Sequence, residues 1–235
     1  MLHWVIALLP LAVFSKVAFV VATAGFQPFV ALGWFVVAVI AALALQASYY
    51  LIRVRFTSWV RPFRLLIRAR DALVMAFSTA SSTATMPLTY TCLRDKVGLR
   101  EKSAGLGALV GSNFNNDGTA LYEAMAALFV AQMIGINLSA GQQLVVVLTS
   151  IVASVGAAGI PEAGLVTMTL VFSAVHLPTG YIALLLPVDW FLDRCRTVIN
   201  IMGDMNVSCI LDGTIKLDST RSCNEECEYA KTECG

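Results

Sequence analysis

Five polar residues recur at helical spacing near the C-terminal end of the chain. Asp189, Asp193, Arg196, Asn200 and Asp204 are separated by four, three, four and four positions. At about 100° per residue they project within an arc of roughly 80° on one helix face. The sequence around them is apolar, and charge in such a stretch faces a cavity, a partner or a substrate because hydrocarbon penalises it heavily. Three carboxylates and one guanidinium on one stripe form a site of both signs. A zwitterionic acid with an extra carboxylate satisfies it: Asp193 for the ammonium, Arg196 for the side-chain carboxylate by bidentate pairing. Hard cations are held by carboxylate, amide and backbone oxygens, and Asn115, Asp117, Asn200 and Asp204 supply them. The competing account of the stripe is a network of structural ion pairs. Two broken hairpins beside the stripe, which such a network does not need, favour the first.

The elements that position these residues follow from composition. Of 235 residues 58% are hydrophobic and 13% charged, and mean hydropathy is +0.76. A soluble domain carries about a quarter of its residues as charges, so the expectation is an all-α, multi-pass membrane protein with about 20 residues per span. The net charge of +1 and the lack of a basic, aromatic-interleaved patch point away from nucleic acid. Residues 4–24 are read as a first span, because they lack the basic start and cleavage site of a signal peptide and carry Lys16. Gly25 to Pro28 forms a turn, and residues 29–52 a second span. Arg53, Arg55, Arg61, Arg64, Arg68 and Arg70 follow within eighteen residues, which places that connection on the cytoplasmic side. Cys92, Cys195 and Cys209 sit in apolar or helix-end positions as small hydrophobes. Cys223, Cys227 and Cys234 lie in an acidic tail without histidine and suit free thiols better than zinc.

Between these lies the expected transport core, residues 65–210, flanked by an N-terminal unit (1–64) and a polar tail (211–235). Residues 65–95 carry a hydroxyl-rich run, Ser78 to Thr85, ending in Pro87, with basic residues on both sides. They are expected to enter and leave from the cytoplasm as a re-entrant hairpin, buried in protein or facing water. Residues 103–134 make a span interrupted between Asn113 and Thr119. A second hairpin, 142–178, has a small-residue tip from Gly156 to Gly164 and no basic flanks, so it enters from outside. The last span is 181–210. Asn115, Gly118 and Thr119 are echoed by Asn200, Gly203 and Asp204, an internal repeat of interrupted segments that points to a transport site at the repeat interface. No nucleophile–base pair stands out, and His3 and His176 fall at segment ends, so neither enzyme activity nor a cofactor is expected.

Four stretches carry a resemblance: Ser81 to Pro87 (SSTATMP), Asn115 to Glu123 (NNDGTALYE), Ala157 to Pro161 (AAGIP) and Val188 to Thr197 (VDWFLDRCRT). In order and spacing they resemble signature motifs of the dicarboxylate/amino acid:cation symporter family, over about residues 65–210. The resemblance implies a secondary transporter importing glutamate, aspartate or dicarboxylates by sodium symport, with proton coupling as an addition, in the plasma membrane and, at full length, as a homotrimer. It implies that Ser81, Ser82 and Thr119 hold the α-carboxylate, Asp193 the amino group and Arg196 the side-chain carboxylate. Thr197 and Asn200 complete that pocket, and Ile160 and Gly164 belong to a lid. One sodium is implied among Gly111, Asn115, Asn200 and Asp204, a second at Asn113, Ser154, Val155 and Ala157, and a third at Asp117. Glu123 after Tyr122, and Arg194 on the last span where the first hairpin has Ala80, resemble the animal-type, proton-coupled members.

Departures accompany the likeness. Asn116 stands where the family has methionine, Asn113 where threonine is common, and Glu162 charges a usually neutral lid tip. The family implies about four further spans ahead of those read here, so the chain is expected to be a fragment, a split product or a degenerate copy. A non-transporting membrane subunit that binds partners is the alternative function.

Overall fold

The structure, a computed structural model, describes residues 27–157 and 163–214, with Phe14, Ser15, Ala18 and Ala22. The rest of the expected first span, Ile160 and Glu162, and the tail with Cys223, Cys227 and Cys234 lie outside the described residues. All regular structure among the described residues is helical, in agreement with the all-α expectation: α1 (Gln27–Thr57), α2 (Pro62–Arg68), α3 (Arg70–Thr79), α4 (Ser82–Thr91), α5 (Glu101–Gly105), α6 (Gly111–Phe114), α7 (Asp117–Met133), α8 (Ala140–Gly156), α9 (Ala163–Ala174) and α10 (Ile182–Asp212). Wider π turns, Cys92–Val97 and Leu106–Val110, extend α4 and join α5 to α6.

Helix α1 has 31 residues, about 46 Å at 1.5 Å per residue. Its segment Val30–Thr57 is, among the described residues, the one helix long and apolar enough by length and composition to cross a membrane. Leu32, Phe35, Val39, Leu43, Tyr50 and Val54 form its buried edge, packed on α10 and α7. The opposite face is apolar too: Trp34, Leu45 and Phe56 are more than 70% exposed, a surface suited to hydrocarbon rather than water. The helix runs to Thr57 rather than to residue 52, because the arginines at 53 and 55 end the apolar run without ending the helix. Pro62, set at the first turn of α2 where a missing N–H costs little, restarts it.

The α3–α4 pair turns through two residues. Ala80 takes the left-handed conformation (φ 50°), and Ser81 caps α4, its hydroxyl accepting from Ala84 N at 3.1 Å. Thr79 Oγ1 accepts from Ser81 N at 3.3 Å, and Thr85 Oγ1 donates to Ser81 O at 2.8 Å. Much of the hydroxyl run therefore satisfies its own backbone. Between α6 and α7 the helix stops for Asn115 (φ −96°, ψ 77°) and Asn116 (φ −108°, ψ 44°). Asparagine is a weak helix former, and here both side chains bond outside their own turn. Helix α8 starts with a Ser139–Gln142 capping box and packs with α9.

Helix α10 is the axis of the assembly, in contact with α1, α3, α7 and the π turn 106–110. Its whole polar stripe is buried: Asp189, Asp193, Arg196, Asn200 and Asp204, continuing through Ser208 to Asp212. Helix α7 reaches that stripe at Gly118, where a β-carbon would lie 2.8 Å from the carbonyl oxygen of Arg196 and 3.2 Å from its Cα.

Backbone on the far side cannot step aside, so Gly118→Ala overpacks this crossing and costs about 1–3 kcal/mol. Gly33→Ala, where nothing lies within 4 Å, serves as the reference. Melting both variants in detergent by circular dichroism checks this: Gly118→Ala lowers the midpoint and Gly33→Ala leaves it unchanged or raised.

Candidate functional site

The guanidinium of Arg196 is fully buried. Its Nη2 donates to Asp189 Oδ1 at 3.0 Å and to Asp193 Oδ1 at 2.8 Å, residues two turns and one turn earlier on the same helix. Its carbon sits 4.0 Å from the centroid of the Tyr122 ring on α7, so the cation is flanked by two carboxylates and a π face. Its Nε and Nη1 have no hydrogen-bond partner, and a β-carbon on Gly164 of α9 would lie 3.1 Å from Nη1. Two charged N–H groups thus remain for an acceptor beside the glycine.

Asn200, one turn on, joins three elements. Its Oδ1 accepts from Gly118 N at 2.8 Å, and its Nδ2 donates to Asn116 Oδ1 at 3.2 Å and Thr119 Oγ1 at 3.3 Å. Ser82, Thr119, Gly164, Asp193, Thr197 and Asn200, all expected as substrate contacts, line one small cavity with Ala80, Asn116, Ala157 and Ala163. Its volume is ≈ 20 Å³, room for about one water, so any larger ligand requires the elements around it to move. Ser81 stands next to this cavity with its hydroxyl engaged as the α4 cap, and the Thr197 hydroxyl donates to Asp193 O at 2.9 Å.

A second cluster lies further along α10. Asp204 is fully buried; its Oδ1 accepts from Asn115 Nδ2 at 2.9 Å, and its Oδ2 has no partner. The same amide donates to Asn200 O at 3.2 Å. A β-carbon on Gly111 would stand 2.5 Å from Asp204 Oδ1, so only glycine admits this approach. Gly111, Asn115, Asn200 and Asp204 therefore cluster, with the Asn115 amide nitrogen bridging the Asp204 carboxylate and the Asn200 carbonyl oxygen, oxygens of the kind hard cations take. Asp117 is exposed and accepts from the hydroxyl of Tyr50 on α1.

At the second expected cation position, Asn116 is the link. Its Nδ2 donates to Ser154 O at 3.0 Å and to Asn113 O at 3.5 Å, while Ala157 N donates to Ser154 O at 3.2 Å. The Val155 side chain points outward, 41% exposed, and the Asn113 amide folds back on Leu109 O at 3.3 Å.

Glu123 is fully buried, with Oε1 accepting from the Thr167 hydroxyl of α9 and Oε2 unpartnered. Arg194 does not approach it: its guanidinium stacks on Trp190, 3.9 Å from the ring centroid, and donates to Trp190 O at 2.7 Å.

Sequence reasoning missed Tyr50, Thr167 and the several bonds of Asn116. Tyr50 carried one signal, a hydroxyl on the otherwise apolar edge of α1.

The family model of the sodium:dicarboxylate symporter family matches residues 1–214, beyond the 65–210 reach of the four motifs. The chain is 42% identical to excitatory amino acid transporter 2 of Rattus norvegicus over 208 residues, covering 86% of this chain and 36% of that protein. It is 44% identical to an excitatory amino acid transporter of Caenorhabditis elegans over 174 residues, 74% of this chain and 35% of that one. Against excitatory amino acid transporter 1 of Rattus norvegicus the identity is 46% over 164 residues, 70% and 29% of the two chains. The chain thus spans about a third of the length of the curated relatives it matches. The buried stripe, the clustered oxygens and the match over almost the whole sequence lead to one conclusion: the chain belongs to the sodium:dicarboxylate symporter family.

Proposed function

We propose that this chain carries the transport core of a sodium symporter for acidic amino acids or dicarboxylates, a multi-pass protein of the plasma membrane. The observation that carries the reading is the buried guanidinium of Arg196, with two N–H groups uncommitted beside a cavity walled by hydroxyls, amides and Asp193. A substrate's side-chain carboxylate accepts from Arg196. Its ammonium then takes up Asp193, and its α-carboxylate is held by Ser82, Thr119 and Asn200 with Ser81 behind them.

The pairs α3–α4 and α8–α9 act as re-entrant hairpins in this reading. The second, with Gly164 and Ile160 at its tip, moves to admit substrate, which the small volume of the cavity supports. Sodium ions take Gly111, Asn115, Asn200 and Asp204; the carbonyls of Asn113, Ser154, Val155 and Ala157; and Asp117. Glu123 carries a proton. Its bond to Thr167 links it to the moving pair, and Arg194, stacked on Trp190, takes no direct part through Glu123. Residues 65–210 form the core, 1–64 the flanking spans, and the full assembly is a homotrimer. The family of relatives named as excitatory amino acid transporters supports acidic amino acids as the substrate class.

Three variants of the full chain in proteoliposomes test this. Arg196→Cys removes the cation that pairs with Asp189 and Asp193, and sodium-dependent aspartate and glutamate binding falls by at least about a hundredfold, since a charged, bidentate contact is worth several kcal/mol. Binding of neutral amino acids is retained or gained; unchanged acidic binding overturns the assignment.

Asp204→Asn keeps the shape of the side chain while removing the charge. The sodium concentration for half-maximal substrate binding rises about tenfold or more, because a hard cation loses its anionic ligand. Binding that proceeds equally in choline medium rules sodium out.

Substrate entry with a proton makes the external medium alkaline. Glu123→Gln abolishes that alkalinisation while leaving substrate binding within about threefold, and equal alkalinisation in both proteins removes Glu123 from the proton path.

A further inference from the structure

Far from the buried stripe, the end of α1, the loop 58–61 and the start of α2 enclose a cavity of ≈ 810 Å³, within the range of about 300–1,000 Å³ typical of ligand sites. Arg55 and Arg61 line it, beside an apolar wall that includes Ile52, Phe56, Trp59 and Phe63. Its floor is held in place: Trp59 Nε1 donates to Asp212 Oδ2 at 2.7 Å, and Trp59 N to Gly213 O at 3.3 Å. Of the neighbouring basic residues, Arg64 lies outside the lining and others are engaged. Arg53 lies over the Tyr49 ring, Arg68 donates to Lys96 O, Arg70 pairs with Asp71, and Arg100 pairs with Asp212. Among the described residues Arg55 and Arg61 have no acidic partner, and no acidic residue lines the cavity.

We propose that this cavity binds an anionic phospholipid, its phosphate on Arg55 and Arg61 and its acyl chain along Ile52, Phe56 and Phe63. Charge and depth agree. The site ends the apolar run of α1, where basic and aromatic residues mark the cytoplasmic interface, and anionic headgroups there attract each nearby arginine. A free phosphate would leave Phe56, 78% exposed, and Phe63, 81% exposed, uncovered. A choline headgroup would bring a third cation against two. The inference is independent of the transport reading, because no residue of the proposed substrate or sodium sites lines the cavity.

Native mass spectrometry of the full chain in detergent, titrated with phosphatidylglycerol or phosphatidylcholine, tests it. One phosphatidylglycerol binds saturably, phosphatidylcholine binds at least tenfold more weakly, and millimolar inorganic phosphate does not displace the lipid. Arg55→Gln/Arg61→Gln weakens phosphatidylglycerol by on the order of tenfold or more, whereas Arg64→Gln, outside the cavity, changes it less than about twofold. Equal binding by the double variant, an equal loss in Arg64→Gln, equal retention of phosphatidylcholine, or displacement by phosphate each overturns the proposal. If the double variant loses its helical circular dichroism, tryptophan quenching of the native chain decides. Brominated phosphatidylglycerol quenches more than brominated phosphatidylcholine, and Trp59→Phe removes the difference; equal quenching by the two lipids overturns the proposal.

Discussion

A guanidinium with no exposure, Arg196, sets the terms for the rest of the fold. Removing such a charge from water costs several kcal/mol even after relaxation, and only close counter-charge with further polar contact offsets it. The sequence meets that demand within one helix, by placing carboxylates three and seven positions before the arginine, and from one neighbour, by laying Tyr122 under it. Those three partners fix the guanidinium on one side and leave the other side's donors without a protein acceptor. The same residue is therefore a structural keystone that still holds donors in reserve.

The break between α6 and α7 complements this helix. A continuous helix would hold its backbone polar groups to itself and present only side chains to α10. By stopping for two residues, the chain frees the amides of Asn115 and Asn116, and the N–H of Gly118, to bond α10 and the end of α8. Polar backbone at this depth is tolerable only with such partners. Helix interruption and polar stripe are thus two halves of one arrangement, and neither is stable alone.

Much of this was legible in the sequence. The four-three-four-four spacing predicted a single face, and that face is buried as one stripe. The Asn-rich run from 113 to 119 marked the break, and Ala80 and Ser81 fall at the turn inside the hydroxyl run. What escaped notice depended on distance along the chain: Tyr50 meets Asp117 across 67 positions, and Thr167 meets Glu123 across 44. No local pattern encodes such pairs. Arg194, by contrast, has its partner close by in sequence, the Trp190 ring one turn away. The π turns at 92–97 and 106–110 are likewise settled by packing, since their sequences read as ordinary helix.

Gly111 and Gly118 carry a kinematic consequence. At each, the chain passes α10 so closely that a single added carbon would collide with Asp204 or with the backbone of Arg196. Two such points, seven residues apart, pin one segment to the other like pegs in a slot. Sliding along the axis would drive a bulkier neighbour into each gap, and rotation about one point is stopped at the other. The broken helix and α10 consequently travel as one rigid block. Elements joined to that block through side chains, such as α8 through the Asn116 amide, lack such pins.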